Sequence, residues 1–120
     1  MKLAITSQGT DLDSPVDARF GRTRYFLLID SETGEFEARS NAQNVQAVQG
    51  AGIQAARSVI DAGVEAVITG HVGPKAFTTL QAANVKVHTG ASGSAREAME
   101  QFKAGQLASA GRADVQGHWG

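Results

Sequence analysis

The sequence predicts an α/β domain built on a five-stranded mixed sheet, and three observations carry that expectation. Short β-branched apolar runs alternate with helix-period segments through the second half of the chain. Two strand-like runs around Ser31-Glu32-Thr33-Gly34 read as a hairpin in the first half. In the second half, apolar runs end in glycine-containing turns that open a helix, the pattern of crossovers between parallel strands.

Taken in order, Lys2 to Ser7 reads as the first strand. Gln8 to Arg22 is polar and turn-rich, with room for a helical turn at Val16 to Phe20. Arg24 to Asp30 is the second strand and Glu35 to Arg39 the third, by their apolar content and alternation. Asn41 to Gln49 is an amide-rich loop. Gly50 to Asp61 is helical, with Ile53, Ala56, Val59 and Ile60 along one face and Gly63 as its stop. Val64 to Thr69 is mostly apolar and β-branched, as expected of a strand buried on both faces. Pro74 suits the first position of the next helix, which runs to Ala83 with Phe77 and Leu80 inward. Val85 to His88 is a short fifth strand, and Ser94-Ala95-Arg96-Glu97 is a capping box that opens a last helix through about Lys103. Helical crossovers make the first, fourth and fifth strands parallel, and the hairpin extends the sheet antiparallel from the first. The expected strand order is 3-2-1-4-5 with helices on the faces, a ribonuclease H-like topology. Residues 1–107 form one domain, and the Gly- and Ala-rich residues 108–120 read as a flexible C-terminal tail.

Composition narrows the function classes. The 120 residues carry a formal net charge of −1, which disfavours general binding to nucleic acid, where the phosphate backbone selects a basic surface. No cysteine is present, so protein thiolates hold no iron–sulfur cluster or zinc. The first residues enter a strand pattern without a signal-peptide profile, and no apolar run approaches the roughly 20 residues of a membrane span. A cytoplasmic location is expected.

In an open α/β sheet, ligands collect beyond the carboxyl ends of the parallel strands. Three segments meet there: the loop from Ser7 to Arg24, the turn from Gly70 to Lys75, and the turn from Thr89 to Ser94. They bring glycines, two helix N-termini, the cations Arg19, Arg22, Lys75 and Arg96, and the imidazoles of His71 and His88. Backbone N–H groups and cations around a glycine-lined hollow suit an anion, and the same geometry could serve a nucleotide. Gly70 and Gly73 leave the backbone open to close approach. Each feature also has a plainer structural reading. Glycine turns make tight connections, a loop histidine can bond to backbone, and Arg19 and Arg22 can form a solvated pair. Asp11, Asp13 and Asp17 are ordinary turn formers, and His118-Trp119 falls in the tail. Catalysis has little support: no nucleophile elbow is visible, Gly70-His71-Val72-Gly73-Pro74-Lys75 is too short for a P-loop, and the first strand lacks the carboxylates of a two-metal nuclease.

Asp17-Ala18-Arg19-Phe20-Gly21-Arg22-Thr23-Arg24-Tyr25-Phe26, Gly50-Ala51-Gly52-Ile53-Gln54-Ala55-Ala56 and Val67-Ile68-Thr69-Gly70-His71-Val72-Gly73-Pro74-Lys75-Ala76-Phe77 resemble the dinitrogenase iron–molybdenum cofactor biosynthesis family. So does Ala98-Met99-Glu100-Gln101-Phe102-Lys103-Ala104-Gly105-Gln106-Leu107, and the likeness runs in order through nearly all of residues 1–107. The resemblance implies a ribonuclease H-like fold without nuclease carboxylates, and a non-enzymatic protein that binds or carries a preformed metal–sulfur cluster. Within the family the chain looks most like a branch that holds a molybdenum–copper sulfide cluster non-covalently; the iron–molybdenum cofactor or its precursor is the other expectation. Inorganic sulfide would then supply the metal ligands. The expected contacts are Arg19, Phe20, Gly21, Arg22, Gly70, Val72, Gly73, Pro74, Gly90 and Ser92, with Lys75 and Arg96 adding positive charge and His71 as the candidate metal ligand. The alternative is a protein–protein interaction module acting with an ATPase or a cluster-assembly protein.

Overall fold

The computed structural model describes residues 1–45, 50–107 and 109–110. Its sheet contains β1 (Lys2–Ser7), β2 (Tyr25–Asp30), β3 (Phe36–Ser40), β4 (Ala66–Ile68) and β5 (Lys86–His88) in the order β3-β2-β1-β4-β5. β1 pairs antiparallel with β2 and parallel with β4, β2 pairs antiparallel with β3, and β4 pairs parallel with β5. Strand order and directions agree with the sequence expectation. The end residues differ by one or two, as frayed element ends do.

Alternation along the buried strands splits their side chains between two cores. Ala4, Phe26, Leu28, Val67 and Val87 face α2 (Ala51–Asp61) and α3 (Pro74–Ala82), where they meet Ala55, Ala56, Val59, Phe77 and Leu80. Leu3, Ile5, Leu27, Ile29, Ala66 and Ile68 face α4 (Ala95–Lys103), where they meet Ala95, Ala98 and Met99. In α2, Ala56 and Val59 are buried as expected, while Ile53 and Ile60 are half-buried. The capping box of α4 is formed: Glu97 N donates to Ser94 Oγ, and Ser94 N donates to the Glu97 carboxylate.

Two local expectations are corrected. The segment read as a loop after Asn41 begins with a short helix, α1 (Ala42–Val45), while the rest of it, 46–49, lies outside the described residues. Four residues are too few for helical periodicity to show in a sequence. There is no helical turn at Val16 to Phe20. Val16 bridges Ser7 and Arg19 bridges His71, because their neighbourhood spends its backbone donors on other segments: Val16 N donates to Gly93 O and Asp17 N to Thr6 O. Of the expected tail, Ser109 and Ala110 are described. They run antiparallel to β5, with Ala110 N donating to Val87 O at 2.7 Å. His118 and Trp119 lie outside the described residues. Among the described residues no helix is long and apolar enough to cross a membrane.

Two outcomes follow. Phe20 is fully buried against Phe26, with ring centroids 5.4 Å apart. Phe20→Ala should therefore lower unfolding free energy by about 3–5 kcal/mol in urea denaturation. In the hairpin turn, the Glu32 and Thr33 N–H groups donate to Asp30 Oδ1 and hold its carboxyl below the ordinary value. That stabilisation is present above the unfolded value of 3.8 and is lost as pH falls through the folded one. The stability advantage of wild type over Asp30→Asn should shrink as urea midpoints are measured from about pH 5 down to about pH 2.

Candidate functional site

The carboxyl ends of β1 and β4 run into buried hydroxyl side chains, while β5 ends at the half-buried His88. Thr6 Oγ1 donates to Asp17 O at 2.7 Å and lies 3.0 Å from Thr69 Oγ1, and both threonines are inaccessible to solvent. Thr23 Oγ1 accepts from Ser7 N and sits within bonding distance of Ser7 O and Tyr25 O. These short side chains tie the long loop to the strand ends without leaving a buried polar atom unpaired, which would be costly.

The three segments expected to meet do meet, and backbone bonds knit them together. His71 N donates to Ala18 O at 2.7 Å, and Phe20 N donates back to His71 O at 3.2 Å. Gly90 N donates to Gly70 O, Ala91 N to Thr69 O, and Val16 N to Gly93 O. Ala95 N and Arg96 N donate to Ser14 O and Leu12 O. Many donors expected to face a ligand are therefore spent between loops.

Gly70 shows what its missing side chain is for. A Cβ built there would lie 2.8 Å from both Ala18 Cα and Ala18 O. The glycine admits the neighbouring loop, so the close approach it allows is that of Ala18. Gly90 is different: its φ of +82° is the left-handed conformation that glycine adopts freely, and it turns the chain after β5.

The other candidates divide by exposure. Phe20 and Val72 are fully buried among the α2–α3 core residues, so they support the loops from below. Gly21 is buried, and its carbonyl accepts from Asn41 Nδ2 at 3.2 Å. Arg22 and His71 are half-buried. Arg19, Pro74, Lys75, Gly90, Ser92 and Arg96 are exposed. Gly73 is the N-cap of α3 and Pro74 its first residue, and no side chain caps this N-terminus. The N-terminus of α2, behind Gly50, likewise has no side-chain cap bond. α4 differs, because Ser94 and Glu97 satisfy its first turn and Glu97 places a carboxylate there. Its N-terminus is closed to an anion.

Charge separates two sides of this edge. An open hollow of about 570 Å³ lies between the first and third segments, lined by Asp13, Pro15, Val16, Ala18, Ala91, Ser92, Gly93, Ser94 and Glu97. Two carboxylates line it. Arg96 Nε is already engaged with Asp13 Oδ1 at 3.1 Å, in an exposed pair. On the other side the backbone of Arg19 bridges His71, three residues before α3, and Lys75 is the second residue of that helix, whose start has no side-chain cap bond. Among the described residues neither Arg19 nor Lys75 has an ion-pair partner. An anion is favoured on the Arg19–Lys75 side, where the helix N-terminus adds a partial positive charge. His88 is turned elsewhere: its Nδ1 lies 3.3 Å from Leu107 O and its ring meets Phe102 edge-on.

Residues 1–105 match the family described as dinitrogenase iron-molybdenum cofactor. The chain belongs to that family. It is 37% identical to the orange protein from Desulfovibrio gigas, whose apo form superposes with a TM-score of 0.93 over 95% of this chain and 96% of that one. A NifB-like protein from Thermotoga is 39% identical and superposes with a TM-score of 0.79 over 90% and 91% of the two chains. An uncharacterised protein from Methanocaldococcus jannaschii is 28% identical over 109 residues, 89% of each chain. A family member of this kind is a cofactor-binding or carrier protein, and the knitted loop edge is where its carboxyl strand ends converge.

Sequence reading missed four contributors to this edge. Asn41 is buried and donates to both Gly21 O and Thr23 O, bracing the Arg22 turn. Thr6 and Thr69 carry the buried hydroxyl contact, and their place at the strand ends was the available signal. Ala18 has no side-chain signal, since it acts through its backbone, which passes over Gly70 and accepts from His71 N. Gly70→Ala should force Ala18 away and cost about 1–3 kcal/mol in chemical denaturation, with amide-exchange protection falling first at His71 and Phe20.

Proposed function

We propose that this chain is a non-enzymatic carrier of a preformed anionic metal–sulfur cluster, and that its cargo is a molybdenum–copper sulfide cluster held without covalent bonds. The observation that carries the reading is the pairing of a cation-flanked, uncapped α3 N-terminus with a chain that has no cysteine. Among the described residues no group of three His, Cys, Asp or Glu side chains is placed to hold a bare metal ion. A cargo that brings its own sulfide needs none. It needs N–H donors, positive charge and a surface of the right shape.

In this reading Arg19, Arg22 and Lys75 offset the cluster charge. The backbone around Gly73 and the first turn of α3 donates to cluster sulfurs, and the His71 imidazole approaches the cluster directly. Gly21, Pro74, Gly90 and Ser92 shape the surrounding surface. Phe20 and Val72 hold the two loops at their separation. Arg96, paired with Asp13 on the far side of the edge, contributes long-range charge only. The iron–molybdenum cofactor, or a precursor of it, is the other member of the same ligand class. The shared family and the 37% identity to the orange protein support the class of cargo.

The test is reconstitution. Tetrathiomolybdate and copper added to the purified protein should give a coloured complex of fixed metal ratio that survives gel filtration. The double variant Arg19→Gln, Lys75→Gln should retain its fold by circular dichroism and lose at least about tenfold in cluster affinity, the loss expected from two partly exposed charge contacts. Failure of the wild-type protein to retain either thiomolybdate–copper or the iron–molybdenum cofactor would overturn the reading.

A further inference from the structure

We propose that the outer edge of β3 is a self-complementary interface, which pairs antiparallel with β3 of a second copy of this chain. The two edges of the sheet are not alike. Beside β5 lie Ser109 and Ala110, bonded to its backbone. Along β3 every residue from Phe36 to Ser40 is exposed, and among the described residues nothing pairs with its outer side. An open strand edge is a template for another strand unless something blocks it, and β3 carries no proline and no bulge.

The register of such a pair can be worked out. Asp30 N donates to Glu35 O, and Asn41 N donates to Arg24 O, so Glu35 and Asn41 turn their backbone groups toward β2. Hydrogen bonding alternates along an antiparallel ladder. Glu37 and Arg39 therefore also bond inward, while Phe36, Ala38 and Ser40 present their N–H and C=O groups outward. Antiparallel pairing of two such edges has to match outward residues with outward residues. A dyad at Glu37 would set Glu37 against the second copy's Glu37. A dyad at Arg39 would set Arg39 against Arg39. A dyad at Ala38 sets Ala38 opposite itself and Phe36 opposite Ser40, using all three outward residues. It also places Glu37 opposite the second copy's Arg39, twice, at non-hydrogen-bonded positions where cross-strand side chains come closest.

The side chains fit this register. Glu37 and Arg39 already lie on one face, 3.5 Å apart within the chain, and the second copy doubles the set into a four-member charge ladder. On the opposite face Phe36, 41% exposed, stands beside Ile29, and Ala38 beside Leu27. Pairing about Ala38 brings the two copies' Phe36–Ala38 strips together, continuing the apolar face that α4 covers further in. The result is a ten-stranded sheet. Because the two β3 strands are antiparallel, the loop edges of the copies point in opposite directions, so cargo binding and pairing are independent.

The test exploits the charge pairing. Sedimentation velocity over about a hundredfold range of wild-type concentration should show a monomer–dimer equilibrium. Glu37→Arg alone sets Arg against Arg, and Arg39→Glu alone sets Glu against Glu; each should weaken self-association by roughly tenfold. Mixed together, the two variants should form a heterodimer as readily as the wild type forms its own dimer, because every cross-strand pair is again opposite in sign. Wild-type protein that stays monomeric throughout overturns the proposal. So does a dimer that both single variants leave intact, since it would use another surface, and so does a mixture of the variants that fails to associate.

Discussion

Everything at the loop edge depends on the passage of Ala18 over Gly70. His71 can donate to Ala18 O at 2.7 Å only because no side chain stands at Gly70, where a Cβ would meet Ala18 at 2.8 Å. That contact sets Arg19 beside His71 and lets Phe20 drop its ring into the core against Phe26. It also fixes the depth at which α3 starts behind Gly73. A mostly polar loop is thereby fixed to the strand ends, held by backbone bonds between segments and by the burial of Phe20, with Leu12 and Val16 packed on the opposite core.

The strands beneath explain why the edge can be polar and still stable. Apolar side chains fill both faces of β1 until Thr6 and Ser7, where the inaccessible positions become hydroxyls. Those hydroxyls take up the backbone groups that the incoming loop brings with it. A hydroxyl is the smallest group able to do so, and Thr23, Thr69 and the Asn41 amide complete the set. The energetic weight lies less in each bond than in the penalty for leaving any of these buried groups unpaired.

Electrostatics then divides the edge. Carboxylates gather on the α4 side, where Glu97 closes its own helix and Asp13 engages Arg96. Arg19 and Lys75, which have no ion-pair partner among the described residues, lie on the α3 side, whose helix start has no side-chain cap bond among those residues. A chain of net charge −1 can present a local anion site in this way, because the segregation depends on which helix is capped and not on total charge.

Strand order, the parallel and antiparallel pairings, and the capping box were legible in the sequence. All of them follow from local rules: the period of apolar residues, the placement of proline and glycine, and the handedness of crossovers. The convergence of three loops at one edge followed from topology in the same way. Other features came only from the tertiary structure. The spacing of apolar residues cannot reveal a helix as short as α1, and no local rule says that Gly70 makes room for Ala18 and not for a ligand. Nor could composition show that Arg96 would be engaged with Asp13, 83 positions away, while Arg19 and Lys75 have no such partner among the described residues. Local sequence determines which elements form and in what order. Which backbone donors and charges remain for other work is decided when distant loops meet, because each group is satisfied by whichever partner the fold brings within bonding distance.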